Sequence, residues 1–157
     1  ETMLRDSGLR VKLINMLSEV TAEIQFRFGN DIGIGVLSTL GTYKTGLYKE
    51  YLDKSKIPIV LPSEPLAEKV HEAIYHSVTG IKARSNPVSS EARQTIEDAV
   101  RTLGQQGAQA VVLGCTKLPL ALPFNSLDGI SLIDPASILA RALIRETYPQ
   151  KLKPLSG

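Results

Sequence analysis

The sequence predicts an α/β domain built on a largely parallel sheet. Three observations predict it. Apolar, β-rich runs alternate with amphipathic helical segments over most of the length. Several of these runs end in Gly, Ser, Thr, Cys or Asp, residue types that suit turns opening onto helices. The chain has 157 residues, 43% of them apolar and 22% charged, enough to bury the core of one domain. Right-handed crossovers follow from this order of elements.

Residues 1–10 read as the end of a helix stopped by Ser7-Gly8. Residues 11–17 suit a short strand. A helix is expected over 18–27, with Ser18 as N-cap and Val20, Ile24 and Phe28 on one face. Gly29-Asn30 breaks it. A strand over 32–39 runs into Gly41, and a helix over 42–53 would bury Leu47 and Tyr51. A strand at 57–62 precedes a helix over 64–78, with Leu66, Val70 and Ile74 inward and Pro65 in its first turn. The polar stretch GIKARSNPVSS separates it from a helix over 90–105. That helix turns Ala92, Ile96, Val100 and Leu103 to the core and ends at Gly107. Strands follow at 109–114 and 130–134. Asp134-Pro135 opens a last helix through about Arg145, as N-cap and first-turn proline. The tail KLKPLSG reads as loose.

Composition narrows the function classes. A net charge of +2 gives no electrostatic footprint for nucleic acid. No apolar run reaches the ~18 residues of a membrane span, and no signal-peptide pattern opens the chain. One cysteine cannot form an internal disulfide, and with two histidines a Cys/His zinc site is not expected. A soluble cytoplasmic protein is the simplest class.

Ligands of open α/β sheets bind at the carboxyl ends of the strands. Those ends carry Ser38-Thr39-Leu40-Gly41-Thr42, Gly114-Cys115-Thr116 and Asp134-Pro135. Hydroxyls beside the free N–H groups of a helix start favour an anion, carboxylate or phosphate alike. Cys115 is the sharpest residue. A thiol at a strand end near a helix start can act as nucleophile or base, though buried cysteines are commonly only small hydrophobes. Thr39 and Thr42 flank Gly41 in what is otherwise a tight turn. Lys82 lies in the polar loop, where a lysine is ordinarily just solvated, but it could lean over the strand ends as a cation for a carboxylate. His71 and His76 read as surface residues, and Asp134 as a cap.

Val112-Leu113-Gly114-Cys115-Thr116 followed by Leu118-Pro119-Leu120 resembles the second cysteine motif of the aspartate/glutamate racemase family. Three more segments agree, in order. Ile34 to Thr42 looks like that family's Leu-Ala-Thr-x-Gly-Thr turn. Ala73-Ile74-Tyr75 with Gly80-Ile81-Lys82-Ala83 looks like its lysine-bearing loop. Leu132-Ile133-Asp134-Pro135 looks like its closing strand and helix.

The resemblance implies a Rossmann-like three-layer lobe, one of two facing each other across a cleft. It implies racemisation of an acidic amino acid without pyridoxal phosphate or another cofactor. One thiolate removes the α-proton and a second thiol reprotonates the opposite face. Cys115 matches the second-lobe cysteine, Thr116 a residue positioning a substrate carboxylate, and Lys82 the lysine pairing with a carboxylate. Thr39 and Thr42 match the turn. Lys117 stands where the family usually has Glu, and Arg84 where it commonly has Gly.

The family's first cysteine, in a Cys-Asn-Thr segment, has no counterpart here. The resemblance therefore implies a remnant of the first lobe at 1–28, the second lobe at 29–134, and at 135–157 a terminal helix and tail that pack on the first lobe. A surface meant for an absent lobe predicts a homo-oligomer, such as a dimer. Other readings are a related enzyme (hydantoin racemase, maleate isomerase or arylmalonate decarboxylase), a non-catalytic anion-binding or assembly module, or a phosphate-binding regulatory domain.

Overall fold

A computed structural model describes residues 12–154. Helix α1, Met16–Phe28, leads into strand β1, Gly33–Leu37. Helices α2, Leu40–Thr45, and α3, Leu47–Lys54, follow, then strand β2, Ile59–Val60. Helices α4, Glu64–Tyr75, and α5, Ser90–Gln105, precede strand β3, Ala108–Leu113. A short helix α6, Leu118–Ala121, leads to strands β4, Ser126–Leu127, and β5, Ile130–Ile133. Helix α7, Pro135–Thr147, and a single 3-10 turn, Pro149–Lys151, close the chain.

The sheet order is β2-β1-β3-β5-β4, parallel except for β4 on β5. Its two faces are built by period-two alternation of apolar residues. Leu37, Val111, Leu113 and Leu132 face α4 and α5, where Val70, Ile74, Ile96, Val100 and Leu103 meet them. Ile34, Val36, Ala110, Val112 and Ile133 face the other way, onto Leu17, Val20 and Ile24 of α1 and Tyr48 and Leu52 of α3. The result is a three-layer Rossmann-like lobe. Residues such as Ile96 and Val100, fully buried, each contribute about 1.5–3 kcal/mol of apolar transfer. Ion pairs from Arg145 to Glu19 and from Lys12 to Glu146 tie α7 to the amino-terminal segment. Both pairs are solvent-facing and add little.

The four main strands and most of the helices stand where the sequence places them, and four local readings are corrected. Residues 12–17 do not form a strand: 12–15 are irregular and α1 has begun at Met16. Its N-cap is Asn15, not Ser18. The Asn15 Oδ1 accepts the N–H groups of Leu17 and Ser18 at 2.9 and 3.1 Å, so the cap lies three residues earlier. The helix read over 42–53 is two helices, because Gly46 takes φ +63°, a left-handed conformation that ends α2. The restart rotates α3, so Tyr48 and Leu52 are buried, while Leu47 is 41% exposed. The antiparallel edge strand β4 and helix α6 have no forerunner in the sequence reading. The segment 1–10 lies outside the described residues.

Candidate functional site

Strands β1 and β3 are neighbours, and their carboxyl ends are level: Leu37 pairs with Leu113. One residue further, the Gly114 N–H donates to the Leu37 carbonyl at 2.7 Å. This bond sets the Ser38-Thr39 end beside the Gly114-Cys115-Thr116 end. A side chain at 114 would force a neighbour to shift. A Cβ there would lie 2.9 Å from Tyr48 Cε2 and 3.1 Å from the Leu37 carbonyl oxygen. The Tyr48 ring is therefore packed directly against the backbone that carries Cys115.

Cys115 is half-buried and packs against the α4–α5 side of the core. Its carbonyl accepts the Leu118 N–H at 3.0 Å, which starts α6. Thr116 is exposed and Lys117 half-buried. On the β1 side, Ser38 is buried and its hydroxyl donates to the Thr39 carbonyl at 3.3 Å. Thr39 is the N-cap of α2, but its side chain caps no N–H group. It faces the Thr42 hydroxyl at 3.4 Å instead. The two hydroxyls thus sit together at the mouth of the turn.

Lys82 is held at its root. The Ile81 N–H donates to Ala73 and the Lys82 N–H to Ile74, at 2.9 and 3.0 Å, and Ile81 is fully buried. The side chain is exposed, with Nζ 4.0 Å above the Tyr75 ring. The Tyr75 ring lies 4.7 Å from that of His71, whose Nδ1 accepts the Leu40 N–H at a long 3.4 Å. His71 is thus half-buried against α2 rather than a plain surface residue. His76 Nδ1 accepts the Thr79 N–H at 3.0 Å and shapes the loop. Asp134 caps α7, accepting from the Ala136 N–H at 2.9 Å and the Ser137 hydroxyl at 2.6 Å.

The structure brings Thr39, Thr42 and the Cys115 turn to one edge, and links Lys82 to the same edge through Tyr75 and His71. No hydrogen bond joins Cys115 to Thr116, Lys82, Thr39 or Thr42 among the described residues. A cleft of about 580 Å³ opens beside this edge, between α1, α7 and the segment after α6. Phe26, Leu113, Phe124, Asp134 and Arg141 are among its walls, and none of the five predicted site residues lines it. Among the described residues, no three His, Cys, Asp or Glu side chains converge on a common metal position. No helix among them is long and apolar enough to cross a membrane.

Tyr48 was not singled out by sequence, Tyr75 stood only as part of the lysine-loop motif, and His71 was read as a surface residue. Burial pushes the Tyr48 phenol up to about 12, and negative charge at Cys115 and Asp134 adds to the shift. It is thus an electrically neutral wall behind the thiol turn. Its sequence signal was ambiguous, since Tyr48-Leu52 and Leu47-Tyr51 have the same spacing. The aromatic at 75 and histidine at 71, four apart on α4, were a legible pair.

A family model described as Asp/Glu/Hydantoin racemase matches residues 4–143. A glutamate racemase of Limosilactobacillus reuteri is 31% identical over 106 residues, 66% of this chain and 36% of that protein. A structure from Yersinia pestis, provisionally described as an Asp/Glu racemase, superposes with a TM-score of 0.72 at 26% identity. The match covers 89% of this chain and 57% of that one. An aspartate racemase homologue from Pyrococcus horikoshii shares the fold, with a TM-score of 0.68 at 22% identity over 92% of this chain and 61% of its own. The chain therefore spans about a third of the glutamate racemase and somewhat more than half of each structure.

Proposed function

This chain belongs to the Asp/Glu/Hydantoin racemase family, and on that premise we propose that it serves the racemisation of an acidic amino acid, aspartate or glutamate. Cys115 is one of two acid/base groups, and no cofactor takes part. As a thiolate it takes the α-proton and becomes the thiol. The electron pair left by the C–H bond spreads into the substrate's α-carboxylate. A proton then comes from a second acid on the opposite face, which inverts the centre. Thr116, Thr39, Thr42 and Lys82 hold the substrate carboxylates, by hydroxyl donation and by charge.

The observation that carries this reading is the side-by-side placement of the Cys115 turn and the Thr39–Thr42 turn, set by the Leu37–Leu113 pair. Relatives described as glutamate racemases support the substrate class. One thiol can exchange an α-proton, but inversion needs a partner across the substrate. We assign that partner to a first lobe facing the second lobe at 29–134; α1, within the 1–28 read as the first lobe's remnant, packs on this sheet through Leu17, Val20 and Ile24. The working assembly is a cytoplasmic homo-oligomer.

The test is Cys115→Ser in the complete natural polypeptide. Racemisation of aspartate and glutamate is expected to fall by roughly a hundredfold or more, with unchanged circular dichroism. A variant with full activity would remove Cys115 from the mechanism. One observation favours a second reading, a non-catalytic anion-binding module: the sequence holds a single cysteine. That reading predicts binding of the amino acid with no α-proton exchange in D2O.

A further inference from the structure

Tyr75 ends α4 with 47% of its surface exposed, so burial does not account for an aromatic there. Its hydroxyl makes no hydrogen bond among the described residues. What the ring touches is more telling. Lys82 Nζ lies 4.0 Å from the centroid, in the range of a cation–π contact. One helical turn back, His71 meets the same ring at 4.7 Å with a tilt of 31°. His71 in turn accepts the N–H of Leu40, the first residue of α2. A continuous stack thus runs from the Thr39–Leu40 turn through His71 and Tyr75 to the lysine ammonium.

The backbone holds only the root of Lys82, through its bond to the Ile74 carbonyl. Four rotatable side-chain bonds would otherwise leave the ammonium free to sweep through solvent. We propose that Tyr75 is a positioning residue for Lys82, its ring face holding the ammonium on the stack that leads to the Thr39–Thr42 turn, where an anionic ligand is met. This rests on the reading of Lys82 as a carboxylate partner. The ring face is what matters, and the phenol is dispensable.

The test is spectroscopic and needs no turnover. Reductive 13C-dimethylation of the lysines keeps their charge, and a dimethylammonium above an aromatic face resonates upfield of the other lysines. The Lys82 signal is assigned by its loss in Lys82→Arg. It is expected upfield in the wild type and in Tyr75→Phe, and at the ordinary lysine position in Tyr75→Leu. Tyr75→Met, also without a ring, replaces Tyr75→Leu if that variant does not fold. Titration with L-aspartate or L-glutamate should move this signal, with affinity about two- to fivefold weaker once the ring is gone. A Lys82 signal that is the same with and without the ring overturns the proposal, as does ordinary behaviour in Tyr75→Phe. A ring-dependent signal that ignores both amino acids supports the placement of Lys82 and sinks the carboxylate reading instead.

Discussion

Replacing Tyr48 by Phe isolates one buried ionisable group whose cost can be worked from its surroundings. The ring is 6% exposed and lies against Gly114, between the core and the Cys115 turn. Burial first, then negative charge at Cys115 and Asp134, pushes the phenol from 10.0 up to about 12. An unfolded chain has no such penalty, so it loses this proton first as pH rises. The stability held in the neutral phenol is fully present below pH 10 and is lost progressively as pH climbs towards 12. Two pH units correspond to about 3 kcal/mol in the limit, and about half of that is gone at pH 11. A phenylalanine ring in its place has nothing to ionise. Wild type and Tyr48→Phe should therefore have near-equal stability at pH 8 and diverge by on the order of 1 kcal/mol at pH 11. Urea unfolding followed by far-ultraviolet circular dichroism measures this, since the chain has no tryptophan. The other tyrosines and the lysines titrate in both proteins and cancel in the difference. Curves that stay parallel from pH 8 to pH 11 would refute the claim that Tyr48 is buried as a neutral wall behind the thiol turn.

Gly114→Ala drives a methyl into Tyr48 and the Leu37 carbonyl. It should cost about 1–3 kcal/mol in urea melts, and a loss below measurement error would show that the turn is not tightly packed. Lys82→Ala should weaken binding of aspartate or glutamate while leaving the thermal midpoint within a few degrees, because the Lys82 side chain is exposed. Calorimetry with unchanged affinity would end its role as a carboxylate partner. Ile96→Ala, at a fully buried position, should cost about 2–5 kcal/mol, and a value under 1 would place α5 outside the core. Sedimentation at micromolar concentration should reveal a homo-oligomer. The exposed Phe26 (86%) and Tyr148 (57%) and the cleft walls offer apolar surface for it, and a strictly monomeric profile counts against this expectation.

Much of the fold was legible because its signals are local. Ile96, Val100 and Leu103 repeat at helical spacing, and Asp134-Pro135 is a cap followed by a first-turn proline; the structure buries the first three and makes Asp134 the cap of α7. The start of α1 was misread because Asn15 and Ser18 are both competent caps, and only the helix's docking on the sheet selects between them. The phase of α3 was misread because one left-handed glycine, Gly46, rotates everything after it. The pairing of β4 with β5 joins two very short strands, and two residues carry no periodicity to read.

By itself the sequence determined the α/β class and the largely parallel sheet, and it set Cys115, Thr116 and Thr39 just past strand ends, with Thr42 in the helix that follows. Period-two and period-3.6 patterning and turn chemistry are properties of neighbouring residues. The tertiary structure alone decided which strand ends are adjacent, since order β2-β1-β3-β5-β4 is a matter of crossovers between distant segments. It alone put Tyr48 behind Gly114, and ran His71 and Tyr75 from the α2 turn to Lys82. Those contacts join residues 31 to 66 positions apart or follow a loop that folds back on its helix, and distance in space is what a linear pattern does not carry.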